Sequence, residues 1–75
     1  MRRIYKQYYK CLGENIAFYR RRLGLTQEKL SEMVNVNNVH ISHIETGDRA
    51  ASLDTIFAIA DALGVEPYKL FQNKE

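Results

Sequence analysis

One cysteine, one proline and no apolar run near the ~20 residues of a membrane-crossing helix mark this 75-residue chain. A lone Cys11 excludes an internal disulfide and suits a reducing compartment. No apolar stretch of signal-peptide type precedes a small-residue cleavage site. The chain is therefore expected to be cytoplasmic, with no membrane partner. Catalytic patterns are missing too: no Ser-His-acid spacing, no glycine-rich phosphate loop, no HExxH and no CxxC. Enzymatic activity is not expected, and Cys11 reads as a small apolar packing residue. His40 and His43 stand without a nearby cysteine or acid triad, which is no zinc set. No metal, cofactor or small-molecule ligand is expected, and the length leaves no room for a second, ligand-sensing domain. A core this small is marginal without well-formed helix packing or a partner subunit.

Net charge is only +2, but it is unevenly spread. Residues 1–29 hold eight cations against two acids, net +6, and residues 30–75 hold three against seven, net −4. Such asymmetry suits one face turned toward a polyanion. It also suits plain solvation of helix faces, and charge alone does not choose between them.

What is present is helical periodicity, with no segment alternating at strand period. A first helix is expected from about residue 8 to Leu23, with Leu12, Ile16, Tyr19 and Leu23 as its stripe and Gly24 as its stop. Thr26 is a natural N-cap for a second helix over about 27–34, with Leu30, Met33 and Val34 apolar. Asn35 stands where the chain must turn sharply, and asparagine tolerates a left-handed conformation next best after glycine. Val36 returns to the core, and Asn37 caps a third helix over about 38–45 that buries Ile41 and Ile44 and ends at Gly47. Ser31 is small enough to let the second and third helix backbones approach. A loop, TGDRAA, follows. Ser52 caps a fourth helix with Leu53, Ile56, Phe57, Ile59, Ala60 and Leu63 as its buried side, closed by Gly64. Pro67 fits the first turn of a short fifth helix, with Leu70 and Phe71 completing the apolar set. The expectation is one all-α domain of five helices over residues 1–75, its core within 12–71. Residues 1–10, MRRIYKQYYK, either extend the first helix or form a basic aromatic arm. The tight turn at Asn35 crosses the second and third helices and offers the third outward, as a rod narrow enough for a DNA major groove.

With this layout, the strings LGENIAFYRRRLGLTQEKL, VNVNNVHISHIETG and SLDTIFAIADALGVEPYKLF resemble the lambda-repressor/Cro type of helix-turn-helix domain over about residues 12–71. The resemblance implies that the opening glutamine and the outer face of the third helix touch double-stranded DNA. There are departures from the family pattern. Lys29 stands where glutamate is frequent, so the reciprocal capping box after Thr26 is lost. Ser31 replaces alanine, Asn35 replaces glycine, and the loop has Ala51 in place of a frequent proline.

The resemblance, together with helical rotation, assigns a DNA face to Thr26, Gln27, Asn37, Asn38, Val39, His40, Ser42, His43 and Arg49. Asn38 has the amide to pair with adenine N6 and N7, Val39 suits a thymine methyl, and His43 donates to guanine. His40 and Ser42 suit phosphate or neighbouring bases. Gln27 is expected to donate to a phosphate at a helix N-terminus. Asn37 is foremost a cap, and Arg49 tracks the DNA backbone. The resemblance also implies a partly buried ion pair of Arg20 with Glu45 that sets the third helix.

One such domain grips too short a site to find an address in a genome, so a homodimer on an inverted repeat is expected. Tyr68, Leu70 and Phe71 with the end of the fourth helix form the first candidate interface, and the aromatic N-terminus forms the second. The function expected is a stand-alone bacterial or phage transcriptional regulator, a type that includes small regulators of restriction-modification genes. The alternative is an antitoxin-type interaction module. It calls for a long tail or extra helix, where only QNKE follows Phe71.

Overall fold

The computed structural model describes residues 3–73; Met1 and Arg2 of the expected arm, with Lys74 and Glu75, lie outside these. Four α-helices follow in order: α1 Lys6–Arg22, α2 Gln27–Val34, α3 Asn38–Thr46 and α4 Leu53–Leu63. Among the described residues no strand occurs. The expected fifth helix is instead a 3-10 segment, Pro67–Phe71. Five residues between Glu66 and an extended Gln72 leave little room for i→i+4 bonding, and the tighter turn serves. At the other end, α1 begins two residues earlier than expected and is led in by a 3-10 turn, Arg3–Tyr5. Of the two expectations for residues 1–10, the helical extension describes residues 3–10.

The helix boundaries follow the local chemistry. Thr26 accepts the Lys29 N–H at 2.9 Å, Asn37 accepts the Val39 N–H at 2.7 Å, and Ser52 accepts the Thr55 N–H at 3.1 Å. Each satisfies a donor that the helix cannot satisfy itself. Lys29 offers nothing back to Thr26; its ammonium lies 3.9 Å from Glu32 at the surface. Asn35 takes the left-handed conformation (φ 58°), and the Val36 N–H closes onto the Ser31 carbonyl at 3.1 Å. The same closure recurs after α3, where Gly47 (φ 81°) lets the Asp48 N–H reach the His43 carbonyl at 2.9 Å.

The core is drawn from the four α-helices and the C-terminal 3-10 segment: Leu12 and Ile16 from α1, Leu30 from α2, Ile41 and Ile44 from α3, Ile56, Ile59, Ala60 and Leu63 from α4, and Leu70 from Pro67–Phe71. Several apolar residues expected in it lie outside. Leu53 and Phe57 are exposed. At 100° per residue they sit about 70° and 110° around α4 from the centre of its buried stripe. Met33 is exposed on α2. Leu23 lies past the end of α1 and borders an open groove with Asp61 and Gly64, so nothing packs over it. Phe71 is exposed, while its neighbour Leu70 is fully buried.

Two polar or small residues of α1 tie the domain together. Asn15, buried, donates its amide to the carbonyls of Leu70 and Gln72, each at 2.8 Å, and so latches the C-terminal segment onto α1. Gly13 lets α1 and α3 touch backbone to backbone, since a Cβ there would collide with the carbonyls of Ile44 and Glu45. No helix is long and apolar enough to cross a membrane among the described residues.

Candidate nucleic-acid interface

Helix α3 has two chemically separate sides. Its inner side is held by Ile41 and Ile44 in the core and by Glu45 in a buried ion pair. Arg20 meets Glu45 with both prongs of its guanidinium, Nε to Oε2 at 2.6 Å and Nη2 to Oε1 at 3.0 Å. Its remaining Nη1 donates to the Leu25 carbonyl at 2.7 Å. The planar fork of arginine suits this arrangement, because one side chain can meet a carboxylate and a carbonyl at once. Arg20 and Glu45 are each only 8% exposed, so the pair belongs to the interior. One guanidinium thereby joins α1, the α1–α2 turn and α3.

Gln27 joins the same cluster. Its amide nitrogen donates to Glu45 Oε1 at 2.8 Å. The expected donation of this amide to a phosphate is not the arrangement seen. The reason is physical: a buried carboxylate gains from each further donor that replaces lost water, and Gln27 opens α2 within reach of it. The first backbone N–H groups of α2 still lack intrahelical acceptors, as at any helix start, and suit an anion.

The outer side of α3 is different. Asn38 and Val39 are exposed at its first turn, and His40, Ser42 and His43 are half-buried. Among the described residues, the side chains of Asn38, His40, Ser42 and His43 make no hydrogen bond or ion pair. Asn37 uses its carbonyl oxygen as a cap, which leaves its amide nitrogen outward. Thr26 likewise spends its hydroxyl oxygen as a cap acceptor. Arg49, exposed, follows α3 by three residues. The structure thus brings the expected residues to the start of α2 and the outer side of α3, with Arg49 just beyond.

The expected subunit interface is divided by the structure. Leu70 is 0% exposed and has no surface to offer a second chain. It is the apolar anchor of the 3-10 segment and packs inward. Tyr68 and Phe71 are exposed, but only Phe71 shares a cavity wall with the N-terminal tyrosines.

Sequence reasoning missed Asn15 and Gly13. Both carried a signal. An asparagine on the apolar stripe between Leu12 and Ile16 needs a buried partner. A glycine inside a helix costs about 1 kcal/mol against alanine, which is tolerated where backbones meet.

The helix-turn-helix family model matches residues 16–70. The chain is 36% identical over 61 residues to the HTH-type transcriptional regulator y4dJ of Sinorhizobium fredii, covering 81% of this chain and 79% of that protein. It is 34% identical over 65 residues to the control protein C.SmaI of Serratia marcescens, covering 87% and 77%. The crystal structure of the restriction-modification controller protein C.AhdI from Aeromonas hydrophila superposes with a TM-score of 0.81 at 32% identity, over 84% of this chain and 96% of that one. With the fold, the two-sided α3 and these similarities in agreement, the chain belongs to the lambda-repressor/Cro-type helix-turn-helix family of DNA-binding transcriptional regulators.

Proposed function

We propose that this protein binds an inverted-repeat operator as a homodimer, laying α3 of each subunit in the major groove, and that it regulates transcription from that site. The observation that carries the reading is the two-sidedness of α3: every inner polar group is paired, whereas the outer side chains are unengaged. Asn38 pairs with an adenine, Val39 meets a thymine methyl and His43 donates to a guanine. His40, Ser42, Arg49, the Asn37 amide and the start of α2 at Thr26 and Gln27 hold the DNA backbone and fix register. Similarity to a restriction-modification controller supports the same class of duty, the control of restriction-modification genes. One short helix reads too few base pairs to define a genomic site, and a two-fold pair doubles the address.

Selection of bound duplexes from a random pool tests this. Two half-sites in inverted orientation, centred about one helical turn (~34 Å) apart, are expected. Asn38→Ala should cost about 1–3 kcal/mol at one base position and relax preference there. Removal of the Arg49 charge should weaken all sites alike and lower the salt slope by about 0.9. Failure to enrich any sequence, or recovery of single asymmetric sites, would overturn the reading.

A further inference from the structure

We propose that the two copies pair through one apolar face built by the N-terminal turns of α1, the start of α4 and the end of the 3-10 segment. This inference rests on the homodimer reading above. Tyr5, Tyr8, Leu53, Phe57 and Phe71 stand there between 45% and 63% exposed. All but Phe57 rim a cavity of about 390 Å³ floored by Leu12 and Ile56. Phe57 stands one turn beyond Leu53 on α4 and prolongs the same face. Lone exposed apolar side chains are ordinary, but several converging around one concavity mark a contact surface.

Area and position both select a second copy as the occupant. At about 200 Å² per large side chain, the exposed parts amount to roughly 550 Å² on each copy. Two such faces together exceed the ~1,000 Å² that a specific protein pair needs. The face also lies beside the exit of α3. Gly47 packs against the backbone of Lys10, and Asp48 pairs with Lys6 at 3.6 Å, so the end of α3 sits within a turn of Tyr8. For two copies of α3 to lie ~34 Å apart, each must be about 17 Å from the two-fold axis. An interface at the far end of a body 31 Å long would set them too far apart. Where the end of α3 meets this edge, Lys6 pairs with Asp48, so charges of both signs stand beside the face.

Sedimentation of the full chain without DNA, over a ~100-fold concentration range, reads the pairing directly. Wild type should dimerise. Tyr8→Lys and Phe57→Glu should each weaken dimerisation about 30-fold or more, as loss of a central interface side chain does. Tyr68→Lys, exposed but away from this cavity, should leave it unchanged. Circular dichroism should show all three variants helical, because the altered side chains are exposed. Gel shifts on full and half operators separate the two readings. A wild-type dimer that ignores all duplexes sinks the operator reading and spares this face. A wild type that stays monomeric throughout, or a dimer that survives both Tyr8→Lys and Phe57→Glu, overturns the face.

Discussion

Replacing Arg20 with alanine is expected to lower the unfolding free energy by about 3–5 kcal/mol, because it leaves the Glu45 carboxylate buried and without its cation. A chain of this length has about 4–11 kcal/mol in hand, so the loss takes between about a quarter of the stability and all of it. Urea titration followed by circular dichroism measures it. The loss extends beyond one pair: the Leu25 carbonyl loses the Nη1 donor, and Gln27 is left as the sole donor to Glu45. Arg20→Lys should recover only part, since a single ammonium cannot meet both carboxylate oxygens and the carbonyl. A double-mutant cycle over Arg20 and Glu45 should give a coupling well above 1 kcal/mol. A value under ~1 kcal/mol, typical of exposed pairs, would mean that the interior contact contributes little.

Gly13→Val is expected to cost about 3 kcal/mol, the upper end for overfilled packing. A new Cβ would press on the carbonyls of Ile44 and Glu45, which are main chain and cannot swing aside as a side chain can. Relief requires α3 to move as a body, so DNA affinity should fall even well below the melting temperature. Gly13→Ala gives a sharper test of sign. Helix propensity alone makes this change favourable by about 1 kcal/mol, so a net loss would be due to the backbone contact. A Gly13→Ala protein with an unchanged or raised Tm would show that α1 and α3 have slack between them.

Much of this could be read from residue order because it depends on local chemistry. Thr26, Asn37 and Ser52 cap the helices they precede, and Asn35 turns left-handed, since caps and turns are settled within a few residues. The inner stripe of α3 was equally plain from Ile41 and Ile44. What resisted reading depends on how elements meet. Leu53 and Phe57 fit an amphipathic pattern, but which apolar neighbours win the buried arc of α4 depends on where α1 and α2 sit. Gln27 turns inward because Glu45, eighteen residues on, lies opposite it. Leu70 and Phe71 are adjacent and equally apolar, yet one is buried and the other exposed. The 3-10 path decides between them. Asn15 found its partners more than fifty residues away.

The separation of duties along α3 has an evolutionary consequence. Fold stability resides in Ile41, Ile44 and Glu45, while Asn38, Val39, Ser42 and His43 carry little of it. Mutations on the outer set can therefore accumulate without loss of the scaffold. On the proposed reading, a chain built this way can drift from one operator to another while its body stays constant, and relatives with the same architecture are free to diverge in the sequences they read.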